Sequence, residues 1–336
     1  MNTLQSAFWP AVVAKRPGKG HIDAAMGLLA MVATIVSSTL DIMPMSDVTG
    51  GAANTGNHAS DESSEARSQF LDREKVASFY LAQPWYYPSD TQLTRNDGTD
   101  IKLKQMGWDG DMLMPPIDGG VRYIDWFGPA GFMIDFLHNK AVARLGKGAH
   151  GRKLSNPVIE TVETEGTLKG EQAPNKLKLT DVFNRFEFTH GQNMLLFGGV
   201  LRFAGLSPRI RPYAGFGAGF AIPHVEVWFK DEKLANRTNE YQYAGPAASG
   251  IAGVELRVGR MSYYLEYKLS WASLAGSLTG DESWKNFNMP GDLLRQFLRW
   301  WNGEKPVYGN FSTTLIAHQA VGGIGYRITP TPVVAP

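Results

Sequence analysis

The 336-residue chain carries 33 basic and 32 acidic side chains, a formal charge of +1, so no net field draws it to nucleic acid or to an anionic surface. It contains no cysteine, which excludes disulfides, thiolate metal sites and thiol catalysis. Plentiful glycine (37), frequent aromatics and the lack of a second apolar run of membrane-helix length favour β structure over a helical membrane protein.

The N-terminus places Lys15, Arg16 and Lys19 before an apolar run from Ala24 to Leu40, the order of a secretory signal. No clean small-x-small site follows Leu40, so residues 1–45 read as a cleaved signal or as a retained anchor. Residues 46–75 are rich in Gly, Asn, Ser, Asp and Glu and read as a disordered linker. The folded region is expected over 76–328, with 329–336 as a C-terminal tail.

From Val76 onward the pattern has period two. Met261 to Leu278 is the clearest case: Tyr263, Leu265, Tyr267, Leu269 and Trp271 share one face, and Ser262, Tyr264, Glu266, Lys268 and Ser270 the other. Charged groups are costly in lipid and tolerated in a filled barrel interior, so the apolar face points outward. Related stretches fall near 77–88, 117–127, 130–142, 183–203, 211–229, 241–258, 261–278 and 311–328. Connectors near 127–130, 205–209 and 259–260 are short, whereas 89–116, 143–182, 230–240 and 279–310 are long. The expectation is an all-β, eight-stranded antiparallel up-and-down transmembrane barrel in an outer membrane, with short periplasmic turns and long extracellular loops. A lipocalin-like barrel would carry the opposite polarity.

Arg122, Asp135, Arg202, Glu255, Arg257, Glu266 and Lys268 fall on the inward face with nearly balanced charge and read as a structural network. At the long-loop ends gather His138, Glu187, His190, His224 and Glu226, the candidates for acid/base work, with His190, His224 and Glu226 the candidate ligands of a divalent metal. Strict alternation would turn His224 and Glu226 toward lipid, so a bulge at Pro223 is expected to shift the register by one. The alternative for this rim is simple contact with phosphate-bearing headgroups. In MGWDGDMLMPP (106–116), Trp108 suits stacking on a sugar and Asp109 acceptance of its hydroxyls; the alternative there is a Gly/Pro loop. GDLLRQFLRWW (291–301) places Leu293, Leu294, Phe297, Leu298 and Trp301 mostly on one helical face, for a helix lying on headgroups or capping the barrel mouth. GFGAGF (215–220) lies inside a strand with no helix after it and is not a dinucleotide fingerprint.

The segments TDIKLKQMGWDG (99–110), GFMIDFLHNKAVA (131–143), FEFTHGQNMLLF (186–197), RPYAGFGAGFAIPHVEV (211–227), YQYAGPAASGIAGVELRV (241–258), YLEYKLSWAS (264–273) and the closing GYRI stand in an order that resembles the lipid A oxidase family of outer-membrane barrels. The resemblance spans most of 79–328 and is carried by WDG, DF-x-H-x-K and PHVEV; it leaves out the N-terminal extension, the 143–182 loop and the amphipathic segment. It implies oxidation of the proximal glucosamine of lipid A to 2-aminogluconate, with molecular oxygen as co-substrate and hydrogen peroxide released. Lipopolysaccharide and membrane lipid are then the partners, with Trp108, Asp109 and Lys140 as substrate contacts. Oxygen chemistry without flavin or haem points to a metal, which no motif here identifies. A non-catalytic barrel that binds lipopolysaccharide or anchors a partner is the competing expectation. A lipid A acyl-chain enzyme would need a serine beside a rim histidine, and none is expected there.

Overall fold

The computed structural model describes residues 73–203, 209–280 and 288–328. The signal or anchor, nearly all of the linker and the C-terminal tail lie outside the described residues.

Eight strands pair antiparallel in sequence order: β1 (Arg73–Tyr86), β2 (Gly119–Phe127), β3 (Ala130–His138), β4 (Met194–Arg202), β5 (Ile210–Ala221), β6 (Gly245–Val258), β7 (Met261–Leu278) and β8 (Gly309–Arg327). The first and last strands also pair, from Val76 opposite Arg327 to Tyr86 opposite Ala317, which closes the barrel and leaves it without an edge. Both described chain ends and the short turns at Gly128–Pro129 and Gly259–Arg260 share one end; the long connections share the other.

The polarity is that of a barrel in lipid. Along β7, Ser262, Tyr264, Glu266, Lys268 and Ser270 are buried, whereas Tyr263, Leu265, Leu269 and Trp271 are exposed. Phe79, Val121, Phe132, Phe197, Phe216 and Ile324 extend the apolar outer belt across six further strands. The expected interior network divides into two layers. In one, Arg122 bonds Glu266 (2.6 Å) and Asp135 (3.2 Å), Lys268 bonds Asp135 (2.6 Å), and Tyr213 donates to Glu266 (2.8 Å). Nearer the turns, Glu74 joins Arg202 and Arg257, and Arg257 also reaches Glu255. Two cations and two carboxylates in the first layer leave no unpaired charge in the buried interior.

The long connections hold more regular structure than their composition suggests. β7 and β8 continue past the barrel, and β8 pairs at Gly309–Thr313 with Ser89–Arg95. That strand pairs with Asp100–Met106, then Thr161–Leu168, then Lys176–Lys178. A separate five-stranded sheet runs in the order Thr238–Tyr241, His224–Phe229, Phe183–Phe188, Ala141–Ala143, Trp108–Asp109. Phe186 and Phe188 of this rim sheet meet Phe311 of β8 at ring separations of 5.7 and 6.0 Å. Leu93, Ile101, Leu103 and Met106 complete the buried core, each large apolar side chain contributing roughly 1.5–3 kcal/mol.

Two expected strands are corrected. The stretch 183–203 breaks at Thr189–Asn193, where Gly191 has φ +92°, so only Met194–Arg202 belongs to the barrel. The stretch 211–229 breaks at Ile222–Pro223, because proline supplies no N–H to the ladder. Likewise 130–142 leaves the barrel after His138, 241–258 enters it only at Gly245, and the first strand runs Arg73–Tyr86 rather than 77–88.

Candidate functional site

The rim sheet is built by the segments that leave the barrel wall. Pro223 therefore acts by ending β5 rather than by bulging it. His224 and Glu226 then enter a second sheet, where both are buried, and neither faces lipid. Glu226 stands directly opposite Glu187 in the pairing of His224–Phe229 with Phe183–Phe188.

Two carboxylates in one cross-strand pair, both buried, form an electrostatically expensive arrangement. Burial above all, and then the neighbouring Glu226 charge, push the Glu187 carboxyl well above the usual carboxylate range, and the two side chains share a hydrogen bond. Arg185 partly balances the charge, with Nη1 2.6 Å from Glu226 Oε1 and Nε 3.5 Å from Glu187 Oε1. Arg237 approaches the same Glu226 oxygen at 3.7 Å, and Thr189 Oγ1 donates to its other oxygen at 3.3 Å.

His150 completes the cluster. It sits on the short 3-10 turn Ala149–Gly151 with φ +55°, and its backbone N–H donates to Glu187 Oε1 at 3.2 Å. One ligand atom each of His150, Glu187 and Glu226 lies within 4.8 Å of the others. One imidazole and two carboxylates make a donor set suited to a divalent transition ion, so these residues fit such a metal.

The other histidines stand beside this cluster. The His190 ring meets His150 at 4.9 Å and His224 at 4.4 Å, with Nδ1 atoms of the latter pair 3.3 Å apart. Burial, then the His150 charge, lowers the His190 pKa to about 4; burial, then His190, lowers that of His224 to about 2. Both imidazoles are thus neutral at physiological pH, the state in which nitrogen binds metal or accepts a proton. Tyr241 closes the far side, its ring edge-on to His224 at 4.7 Å. His138, at the end of β3, bonds Asn193 through Nδ1 at 2.8 Å. Gly191 permits that approach, since a Cβ there would stand 2.3 Å from His138 Nδ1 and from Asn193 Oδ1.

All five candidate acid/base residues therefore occupy one end of the molecule, and the candidate metal residue Glu226 sits in the cluster, with His190 and His224 alongside it. His150, Arg185, Arg237 and Tyr241 are added by the structure. His150 was hidden because it lies in the 143–182 connection, far in sequence from the other residues and without periodicity.

Two of the three expected substrate contacts are corrected. Trp108 is 1% exposed, donates to Ser89 Oγ (2.9 Å) and packs on Phe186 and Phe188, so its ring belongs to the core and presents no face to a sugar. Lys140 is fully buried and bonded to the Asp118 carboxylate and the Pro116 carbonyl, as a buried ammonium must be. Burial pushes Asp118 up to about 6 despite the opposing pull of Lys140. Asp109 is half exposed and pairs with Arg144 at 2.9 Å.

An open groove of about 450 Å³ lies next to the cluster, lined by Gln83, Gly110, Asp111, Met112, Leu113, Met114 and Arg152. Asp111 ties its floor to the His150 turn, accepting from the Ala149 N–H at 3.2 Å and from Arg152 Nη2 at 2.8 Å.

No protein-family model and no curated protein matches this chain. Among solved structures it is similar to the crystal structure of Neisserial surface protein A (NspA), with 7% sequence identity and a TM-score of 0.31, covering 75% of this chain and 96% of that one. The eight-stranded barrel itself rests on the closed register of β1 to β8.

Proposed function

We propose that this protein is an outer-membrane oxidase of lipid A that converts the proximal glucosamine to 2-aminogluconate with molecular oxygen. The observation that carries the reading is the buried cross-strand pair Glu187–Glu226 with His150, set at the long-loop end beside two neutral histidines. In an outer membrane that end faces outward, at the level of the lipid A sugars. The groove of Gln83, Asp111 and Arg152 supports binding of a sugar headgroup there, with the Asp111–Arg152 ion pair at its wall to meet sugar hydroxyls.

In the reaction, the C1 carbon of the sugar loses its hydrogen and its hydroxyl loses a proton, giving a lactone; oxygen takes up two electrons and two protons and leaves as hydrogen peroxide. Addition of water opens the lactone to the acid. The uncharged His190 ring would accept the hydroxyl proton, as a weak base because burial lowers its pKa, with His224 at its Nδ1 to orient it. His150, Glu187 and Glu226 would hold a divalent ion, which supplies the path for electrons to oxygen. Arg185 neutralises the carboxylates and keeps them close together.

The rival reading is a non-catalytic lipopolysaccharide-binding barrel in which Arg185 is the permanent counter-ion of the pair. Mass spectrometry of lipid A from cells expressing the chain, grown with and without air, separates the two. A gain of one oxygen atom under air alone is expected. An unchanged mass would sink the oxidase, and a change by a whole acyl chain would revive an acyl-chain enzyme.

A further inference from the structure

The helix Met289–Trp301 forms where the sequence places an amphipathic segment, capped by Asn288, whose side chain accepts from the Gly291 N–H at 3.1 Å. Its orientation is the reverse of that of a helix packed on a globular core. The polar residues face the protein: Asp292, fully buried, accepts from the Tyr241 N–H at 2.9 Å. Gln296 accepts from the Tyr243 N–H at 2.7 Å and donates to its carbonyl at 2.9 Å, and Arg299 bonds Glu240 at 2.8 Å. The apolar residues face outward, with Leu294 58%, Phe297 49%, Leu298 47%, and Trp300 and Trp301 each 71% exposed.

Water is the wrong solvent for that face. Five large apolar side chains on four turns of helix, two of them tryptophan, match a helix that lies in the plane of a membrane interface. The position agrees. Tyr243, which Gln296 grips, is exposed and meets Phe220 of β5 at a ring separation of 6.1 Å, two residues before β6 enters the barrel at Gly245. Phe220 belongs to the outward face of the barrel wall, as does Phe216 two repeats of the pleat away along the strand. The apolar face of the helix thus continues the belt by which the barrel meets lipid.

We propose that the helix Met289–Trp301 lies in the outer leaflet at the boundary between headgroups and acyl chains, with lipid covering Leu294, Phe297, Leu298, Trp300 and Trp301. Of the two roles left open by the sequence, headgroup contact is the one this orientation favours over capping of the barrel mouth. The same helix holds Tyr241, whose ring packs on His224, so a lipid-facing element stands one residue from the histidine pair.

The absence of cysteine permits a direct test. The full chain with Leu294→Cys, Leu298→Cys or Glu304→Cys, each carrying a nitroxide, is reconstituted in bilayers of phosphatidylethanolamine and phosphatidylglycerol. Collision with dissolved oxygen, which concentrates in lipid, is compared with collision with a water-soluble nickel chelate; folding of each variant is checked by its heat-sensitive electrophoretic mobility. The expected result is an oxygen-to-nickel ratio several-fold higher at 294 and 298 than at 304. Nickel access at 294 and 298 equal to that at 304 would overturn the proposal by placing the face in water. Protection from both reagents would also overturn it, as a contact between copies if the labels couple magnetically and as packing within the chain if they do not. Should one label prevent folding, the remaining apolar-face position and Trp300→Cys decide the matter. None of these readings depends on lipid A oxidation.

Discussion

Replacing Glu187 by glutamine removes the titrating member of the buried carboxylate pair while keeping the shape of the side chain. With ligand atoms within 4.8 Å, two full charges at an effective dielectric of about 20 repel by about 3.5 kcal/mol. Arg185 offsets part of this from Glu226 at 2.6 Å and Glu187 at 3.5 Å. Glu187 is the member pushed upward, so it holds a proton that its unfolded form releases above its ordinary value of 4.5. Its folded pKa is raised, so the wild-type protein loses stability as pH climbs from 4.5 through that folded pKa and levels off above it. Glu187→Gln is therefore expected to stay within about 1 kcal/mol of wild type near about pH 8, or to gain, and to flatten this part of the profile. Glu226→Gln strips Arg185, Arg237 and Thr189 of a shared partner and is expected to cost about 2–4 kcal/mol. Guanidinium unfolding in lipid vesicles across pH measures both. Manganese at about a hundredfold its dissociation constant should stabilise the wild type by about 2.7 kcal/mol and neither variant to the same degree. Equal pH slopes in wild type and Glu187→Gln, or equal losses in the two variants, would refute the account of the pair.

Trp108→Ala should lower stability by about 3–5 kcal/mol because the indole fills the core against Phe186 and Phe188 of the rim sheet, whereas Asp109→Ala, which breaks a half-exposed ion pair, should cost about 1 kcal/mol or less. Guanidinium midpoints compare them, and similar losses would return Trp108 to the surface. The folded pKa values of His190 and His224, about 4 and about 2, lie below the ordinary 6.5, so their contribution to stability is present above 6.5 and declines as pH falls toward those values. His224→Asn should weaken that decline, and an unaltered acid limb of the unfolding profile would contradict it. His224→Ala and Glu226→Ala should each abolish oxygen gain by lipid A with a folded barrel retained; activity in both would displace the site. Arg122→Ala should cost about 3–5 kcal/mol by leaving Asp135 and Glu266 with too little positive charge, read from the same unfolding midpoints.

The barrel was legible because its constraint is local. In lipid each strand must present apolar side chains outward and seal its polar ones inside, and a period of two records this residue by residue, as Met261–Leu278 does without a break. The number of strands, the order of long and short connections and the inward network from Arg122 to Lys268 follow from the same alternation. The helix was equally readable as an element, since 3.6-residue spacing marks it, yet spacing says nothing about which face meets the protein.

The site was legible only in part. Pro223 signals a departure from the strand, but both a bulge and a break would turn His224 and Glu226 away from lipid, and only the pairing with Phe183–Phe188 distinguishes them. Trp108 and Lys140 have the chemistry of substrate contacts and become core and buried ion pair once the connections fold over them. His150 lies 37 residues from Glu187 along the chain and meets it through one backbone hydrogen bond. By itself the sequence determined the barrel, its polarity and the end that carries the long connections, because the solvent on each side of a strand dictates side chains one by one. The tertiary structure alone decided which carboxylates face each other and which histidine joins them, because long-range pairing between connections leaves no period in the chain.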